Sequence, residues 1–268
     1  MSGEFFKTPA LLYDSHAHLA DKIFEGMLND VIERARAAGV AGIMIPGDSL
    51  DSSRMAVQIA KRHPDFLRAA VGLHPYEARH YSDEVEQELE ALAADAVVAA
   101  IGEIGLDIRA DGSDPSPHDI QRRVFARQME LAKRLGLPAV IHCRNAYSDL
   151  IELLSQHRIE GVVHCFSGTK SDALKLVELG YHIGFTGSLT FKNAPDLRET
   201  AAALPLERIL IETDCPWLTP HPHRGVRPNE PAYVRYVAET LASCRGTSFE
   251  EACRATYQNA ARFFRLLQ

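Results

Sequence analysis

Eight short apolar runs recur along the 268-residue chain, and each is followed by a stretch with helical periodicity. The runs are Leu11–His18, Val40–Pro46, Leu67–His74, Val97–Asp107, Ala139–Arg144, Gly161–Ser167, Tyr181–Thr186 and Arg208–Asp214. The helical patterns between them are Phe24–Ala38, Asp51–Arg62, Asp83–Ala94, His118–Leu135, Ala146–His157, Ser171–Leu179 and Pro195–Ala203, and two more, Glu230–Ser243 and Phe249–Leu267, follow the last run. Strands separated by helices cannot be joined as hairpins, so they must pair in parallel through crossovers. Eight such units predict an α/β chain closed into a (β/α)8 TIM barrel, one domain over residues 1–268, near the roughly 250 residues typical of that fold. Gly39, Gly136 and Gly180 stand between a helical pattern and the next strand, where a left-handed helix end is wanted. Thr247 with Glu250 reads as a capping box for the last helix. The competing architecture, an open doubly wound sheet, calls for a glycine-rich phosphate loop after the first strand, and none is there.

In such a barrel the functional residues lie at the C-terminal ends of the strands. The first strand closes on Asp14-Ser15-His16-Ala17-His18, and side chains two apart on a strand share a face, so His16 and His18 project together with Asp14 beneath them. The fourth offers Glu103 and Asp107, the fifth His142 and Arg144, the sixth His164, and the eighth Glu212 and Asp214. Each is a polar group in an apolar run, and burying it unpartnered costs several kcal/mol. Alone, His142 or His164 reads as a hydrogen-bonded core histidine, and Glu103 as half of a buried ion pair. Together, four histidines and two carboxylates at one end of a barrel make a ligand set for two divalent ions. Cys143, Cys165 and Cys215 directly follow ligand candidates, and alternation turns them toward the helices as small core residues.

Composition narrows the function. Hydrophobic residues make up 46% and charged residues 24%, ample for a core of this size. No apolar run reaches the roughly 18 residues of a membrane span. Met1 to Pro9 show no basic start followed by a long apolar stretch, so no signal peptide is expected. Five cysteines without disulfide-like spacing fit a reducing, cytoplasmic setting. A net charge of −7 argues against a protein that grips nucleic acid through a basic surface. It leaves room for an enzyme that handles phosphate through metal ions. The oligomeric state stays open, with a monomer compatible.

The stretches Asp14–His18, Gly72-Leu73-His74-Pro75, Gly102–Asp107, His142-Cys143-Arg144, His164–Gly168, Glu212–Pro216 and Asn229-Glu230-Pro231 form an ordered set running through nearly the whole chain. In these the sequence resembles the TatD-related deoxyribonuclease family, a branch of the metal-dependent amidohydrolase-like barrels. The resemblance implies hydrolysis of phosphodiesters, with nucleotides removed from DNA ends in the manner of a 3′-end exonuclease. It implies two divalent ions (Mg, Mn, Zn, Ni or Fe), with His16, His18 and Asp214 at one, His142 and His164 at the other, and Glu103 bridging both. Some members lack the first histidine pair, which this chain has. The chain departs from the family in Ile108 to Pro117, which lacks an aromatic pair many members show, and in Thr219 to Pro228, which carries the extra His221 and His223.

The chemistry assigns further roles. Asp214 can both ligate and accept a proton from an attacking water. Glu212, one layer below, either fixes the tautomer of a ligand imidazole or completes a buried ion pair. Arg144 has the planar fork that suits a phosphate, with a rim salt bridge to Asp107 as the alternative. His74, Arg224 and Arg227 are further candidates for substrate contact, with surface solvation the alternative for the two arginines. Two other functions compete. A C–N or lactone hydrolase on the same scaffold commonly bridges its metals through a modified lysine on strand four, where this chain has Glu103 and no lysine. A non-catalytic metal-bound scaffold would hold the same ligands without turnover.

Overall fold

The computed structural model describes residues 11–266. Eight parallel strands form one sheet in chain order. They are β1 (Leu12–Asp14), β2 (Val40–Pro46), β3 (Leu67–Val71), β4 (Val98–Asp107), β5 (Ala139–Arg144), β6 (Gly161–Val163), β7 (His182–Phe185) and β8 (Ile209–Ile211). Between and after them run α1 (Leu28–Ala37), α2 (Leu50–Arg62), α3 (Asp83–Ala93), α4 (His118–Leu135), α5 (Tyr147–Gln156), α6 (Lys170–Glu178), α7 (Pro195–Ala203), α8 (Val234–Arg245) and α9 (Phe249–Phe263). Each strand pairs in parallel with the next, from β1·β2 through β7·β8.

The seam between β8 and β1 is made differently. Ser15 N donates to Ile211 O at 3.1 Å, His18 N to Cys215 O at 2.9 Å and Asp214 N to His16 O at 2.9 Å, around one bridge between Ala17 and Cys215. The nearly closed barrel is therefore fastened beyond its strand ends. Deeper in the same seam, the buried Asp14 carboxylate accepts Thr213 N (2.9 Å) and Thr213 OH (2.5 Å).

Parallel strands covered on both faces read as continuous apolar runs, which is why they were visible in the sequence. One buried cluster gathers Tyr13, Met44, Ala70, Ala100, Val140, Val162 and Leu210 from seven of the strands, and Ala260, Phe263 and Phe264 from the end of α9 pack against it as a floor. A second, larger cluster joins the other strand faces to the helices. Gly39, Gly136 and Gly180 all have positive φ, as their places at helix ends require.

Several boundaries differ from expectation. β1, β3, β6 and β8 end earlier, so His16, His18, His74, His164, Glu212 and Asp214 lie just past the ladders. The first helix is split: Lys22–Phe24 is a separate 3-10 turn and Gly26 turns the chain with φ 78°. Pro231–Tyr233 likewise forms a 3-10 turn ahead of α8. The last helix is capped by Ser248, whose hydroxyl accepts Glu251 N at 3.1 Å, instead of by Thr247, whose hydroxyl is buried without a partner among the described residues. Leu267, where that helix was expected to end, and Met1–Pro9 lie outside the described residues. No helix among the described residues is long and apolar enough to cross a membrane, and Cys143, Cys165, Cys215, Cys244 and Cys253 are all free thiols.

Candidate metal centre

Glu103 sits at the centre of the barrel mouth, 3% exposed, and turns one carboxylate oxygen to each of two histidine pairs. Its Oε2 is 3.3 Å from His16 Nε2 and 3.5 Å from His18 Nε2, and these two nitrogens are 3.0 Å apart. Asp214 Oδ1 completes this group at 3.8 Å from His16 Nε2 and 3.5 Å from His18 Nε2. Glu103 Oε1 is 2.9 Å from His142 Nδ1 and 2.7 Å from His164 Nε2, which stand 3.3 Å apart. The His16 and His164 rings stack at 3.8 Å, so the two groups lie side by side. The structure thus brings all six predicted ligands into one cluster.

The backbone explains the convergence. Gly105 has φ 146°, and a Cβ there would meet the His142 carbonyl oxygen at 2.0 Å, so only glycine lets β5 carry His142 against Glu103. Asp214 adopts φ 52° just beyond β8, which re-aims its carboxylate toward His16 and His18.

A second layer holds these side chains from behind. Asp107 Oδ2 is 2.7 Å from His142 Nε2, and a proton held between them frees Nδ1, on the Glu103 side, to ligate an ion. Asp107 Oδ1 in turn takes Arg144 Nε and Nη2, both at 2.9 Å. Glu212 accepts Cys165 N at 2.6 Å and the Ser15 hydroxyl at 2.9 Å and stands 3.6 Å from His164 Nδ1. It faces the His164 imidazole, and no lysine or arginine pairs with it among the described residues. His16 Nδ1 and His164 Nδ1 are buried with no hydrogen-bond partner among those residues.

Charge is unevenly placed. Burial pushes the Glu103 carboxyl up, but His164, His16 and His142 outweigh it and hold it well below the ordinary range. Burial opposes charge on His164 as well, yet Glu103 and Glu212 raise it well above an ordinary imidazole. Asp214 stays low because the His18 bond and the nearby imidazoles overcome its burial. His74 goes the other way, down to about 3, through burial and the neighbouring His142. Its Nδ1 accepts Tyr76 N at 3.1 Å, so its Nε2 carries the proton and faces Glu103 Oε1 at 3.8 Å.

Above the cluster opens a cavity of about 580 Å³ lined by His18, His74, Glu103, Asp107, His142, Arg144, His164 and Asp214, among others. Six of its lining residues carried no site signal in the sequence: Asp48, Ser49, Tyr76, Glu77, Cys165 and Trp217. Trp217, the one tryptophan, is 48% exposed with its ring edge-on to His18 at 5.2 Å. Cys165 was expected to face the helices; φ 44° breaks the alternation and brings it to the cavity wall, while Cys143 and Cys215 are buried as expected. Arg144 reaches the mouth, but half exposed and paired with Asp107. Arg224 lies over the Phe191 ring at 3.7 Å and donates to Thr219 O, and neither it nor Arg227 lines the cavity.

The family model described as TatD related DNase matches residues 13–265. The chain belongs to this family. Among curated relatives it is 41% identical to a Bacillus subtilis protein named "Uncharacterized metal-dependent hydrolase YabD", over 96% of this chain and all of that one. It is 35% identical to the "3'-5' ssDNA/RNA exonuclease TatD" of Erwinia tasmaniensis, over 95% of this chain and all of the relative. Among solved structures, YJJV, a TatD homologue from Escherichia coli, superimposes with a TM-score of 0.88 at 33% identity, covering 95% of this chain and 98% of that one. As a member of the family, the chain is a metal-dependent hydrolase.

Proposed function

We propose that the protein is a two-metal phosphodiesterase that removes nucleotides from the 3′ end of single-stranded DNA or RNA. The carrying observation is Glu103, whose two oxygens face two separate imidazole pairs at 2.7–3.5 Å. Ligands held about 2.0–2.2 Å from one ion stand roughly 3–3.5 Å apart, so both groups have the spacing of a coordination shell. His16, His18 and Asp214 would hold one ion, His142 and His164 the other, and Glu103 both. Bound there, divalent ions supply a hydroxide near neutral pH and neutralise charge on the phosphoryl oxygens. An ion also replaces the protons that the crowded carboxylates otherwise draw onto His164 and His142.

The remaining work belongs to side chains. Asp214 orients the attacking water and takes its proton. His74, neutral and with Nε2–H turned inward, donates to a phosphate oxygen. Arg144 adds positive charge at the rim. Trp217 offers a π-face to a base, and single strands bind through such stacking. The names of the relatives fit this substrate.

The test is metal analysis of the purified protein, then digestion of end-labelled single-stranded oligonucleotides with Mg, Mn, Zn, Ni or Fe supplied. The expected result is stepwise loss of nucleotides from the 3′ end, abolished by a chelator and restored by metal. Metal-loaded protein that cleaves a cyclic amide or lactone and no phosphodiester would overturn the reading. Metal-loaded protein without any turnover would favour a binding scaffold.

A further inference from the structure

Beside the His142 side of the mouth, two guanidinium groups converge on one phenol. Arg109 Nε donates to the Tyr76 hydroxyl at 3.0 Å, and its guanidinium carbon lies 4.5 Å from the Tyr76 ring centroid. Arg144 Nη2 donates to the same hydroxyl. Tyr76 lines the cavity, and its ring meets that of His74 at 4.7 Å, which in turn meets that of His142 at 4.4 Å. Two like charges are costly to gather on one oxygen unless something anionic shares the place. Asp107 does so for Arg144. No carboxylate pairs with Arg109 among the described residues: Asp114 accepts the Arg109 backbone N–H at 2.7 Å, and Asp111 accepts Ser113 N and hydroxyl. The acidic side chains of this loop are thus turned back on the loop itself. Arg109 Nη2 and Arg144 Nη1 have no protein partner among the described residues.

We propose that Arg109, with Arg144 and Tyr76, forms an anion site for the phosphate next to the scissile one. The inference rests on the phosphodiesterase reading and deepens it: the enzyme recognises a strand by two consecutive phosphates. One is held at Glu103 and its histidines, the other by the guanidinium pair across Tyr76. Arg109 stands in the loop between β4 and α4, two residues past Asp107. A phosphate accepts charge-assisted bonds from guanidinium N–H groups, and Arg109 Nη2 and Arg144 Nη1 are left to donate them beside one phenol.

The experiment compares kcat/KM of metal-loaded wild type and Arg109→Ala on three kinds of substrate. These are a dinucleoside monophosphate, the same compound with one added terminal phosphate at either end, and bis(p-nitrophenyl) phosphate. Wild type should prefer a flanked substrate, and the end at which phosphate helps gives the direction of the strand. Arg109→Ala should lower kcat/KM on that substrate about 10-fold more than on the other two, as expected for one charge-assisted contact near solvent. Arg109→Lys should recover part of the difference. If Arg109 only props Tyr76, all three substrates fall alike, and the proposal is overturned. Should wild type cleave no phosphodiester, the nuclease reading fails, and binding decides the anion site separately. In that case a nucleoside 3′,5′-bisphosphate should bind metal-loaded wild type more tightly than a nucleoside monophosphate. Arg109→Ala should erase that difference, and an unchanged ratio overturns the proposal.

Discussion

His164 and His182 are both buried, 3% and 8% exposed, and each has an Nδ1 without a partner among the described residues. One stands at the mouth of the barrel just past β6, the other on the floor at the start of β7. Their charges diverge. Glu103 and Glu212 draw His164 toward the protonated form against its burial, whereas burial, Arg208 and Arg262 press His182 down to about 4, beside the Phe263 ring at 5.1 Å. Burial therefore does not mark a working histidine. The strand end it occupies does. The mouth collects carboxylates that need a cation; the floor collects arginines and an aromatic plug that need none.

Substitutions can break this contrast. Glu103→Gln keeps the shape and removes the charge shared by both histidine pairs. Metal content, read by elemental analysis, should fall at both positions, and oligonucleotide digestion should drop to background; full metal and normal turnover would mean that the mouth is no metal centre. Asp214→Asn should slow turnover on the order of 10²- to 10⁴-fold, the usual contribution of a general base, and a rate within a few fold of wild type would remove Asp214 from that role. Asp107→Asn loosens His142 from behind and should cost roughly 10- to 100-fold in metal affinity or activity. Metal titration followed by kinetics checks it, and an unaltered affinity and rate would confine Asp107 to its pairing with Arg144.

The floor should respond in another currency. Unfolded His182 takes a proton near 6.5 and folded His182 only near 4. Its contribution to stability is thus complete above about pH 6.5 and is lost as pH falls toward 4, about 3 kcal/mol at most. His182→Gln should keep turnover within about twofold and flatten the fall in unfolding free energy between pH 7 and 4.5. Denaturant melts of both proteins at the two pH values decide it; parallel curves would show that the floor histidine titrates like a free one.

The barrel was legible because its strands are covered on both faces and its helices are punctuated by glycines at positive φ. Glu103, His142 and His164 were legible for a related reason: an ionisable group within an apolar run has few explanations. The two-apart rule then reached too far. β1 and β8 stop at Asp14 and Ile211, so His16, His18 and Asp214 meet through loop geometry and the seam bonds. At Cys165 the same break defeated the alternation argument outright. Tyr76, Arg109 and Trp217 had no spacing to betray them, since the turns that present them follow no period. Arg224 and Arg227 looked suitable only because their loop follows β8 in sequence; the loop carries Arg224 over Phe191 and both away from the cavity.

The seam between β8 and β1 has a consequence in time. Asp14 and Thr213, bonded across it, are 199 residues apart. A chain emerging from the ribosome at about 5–20 residues per second makes its first histidine pair roughly 10–40 s before Asp214 exists to meet it. Until then His16 and His18 lack both a carboxylate neighbour from β8 and the backbone carbonyls of Ile211 and Cys215 that fix their loop. Glu103, His142 and His164 are already present, but the shared geometry is not. A chain halted anywhere before Asp214 carries only part of the proposed ligand set, so that set becomes complete as one late event in synthesis, after all eight strands have been made.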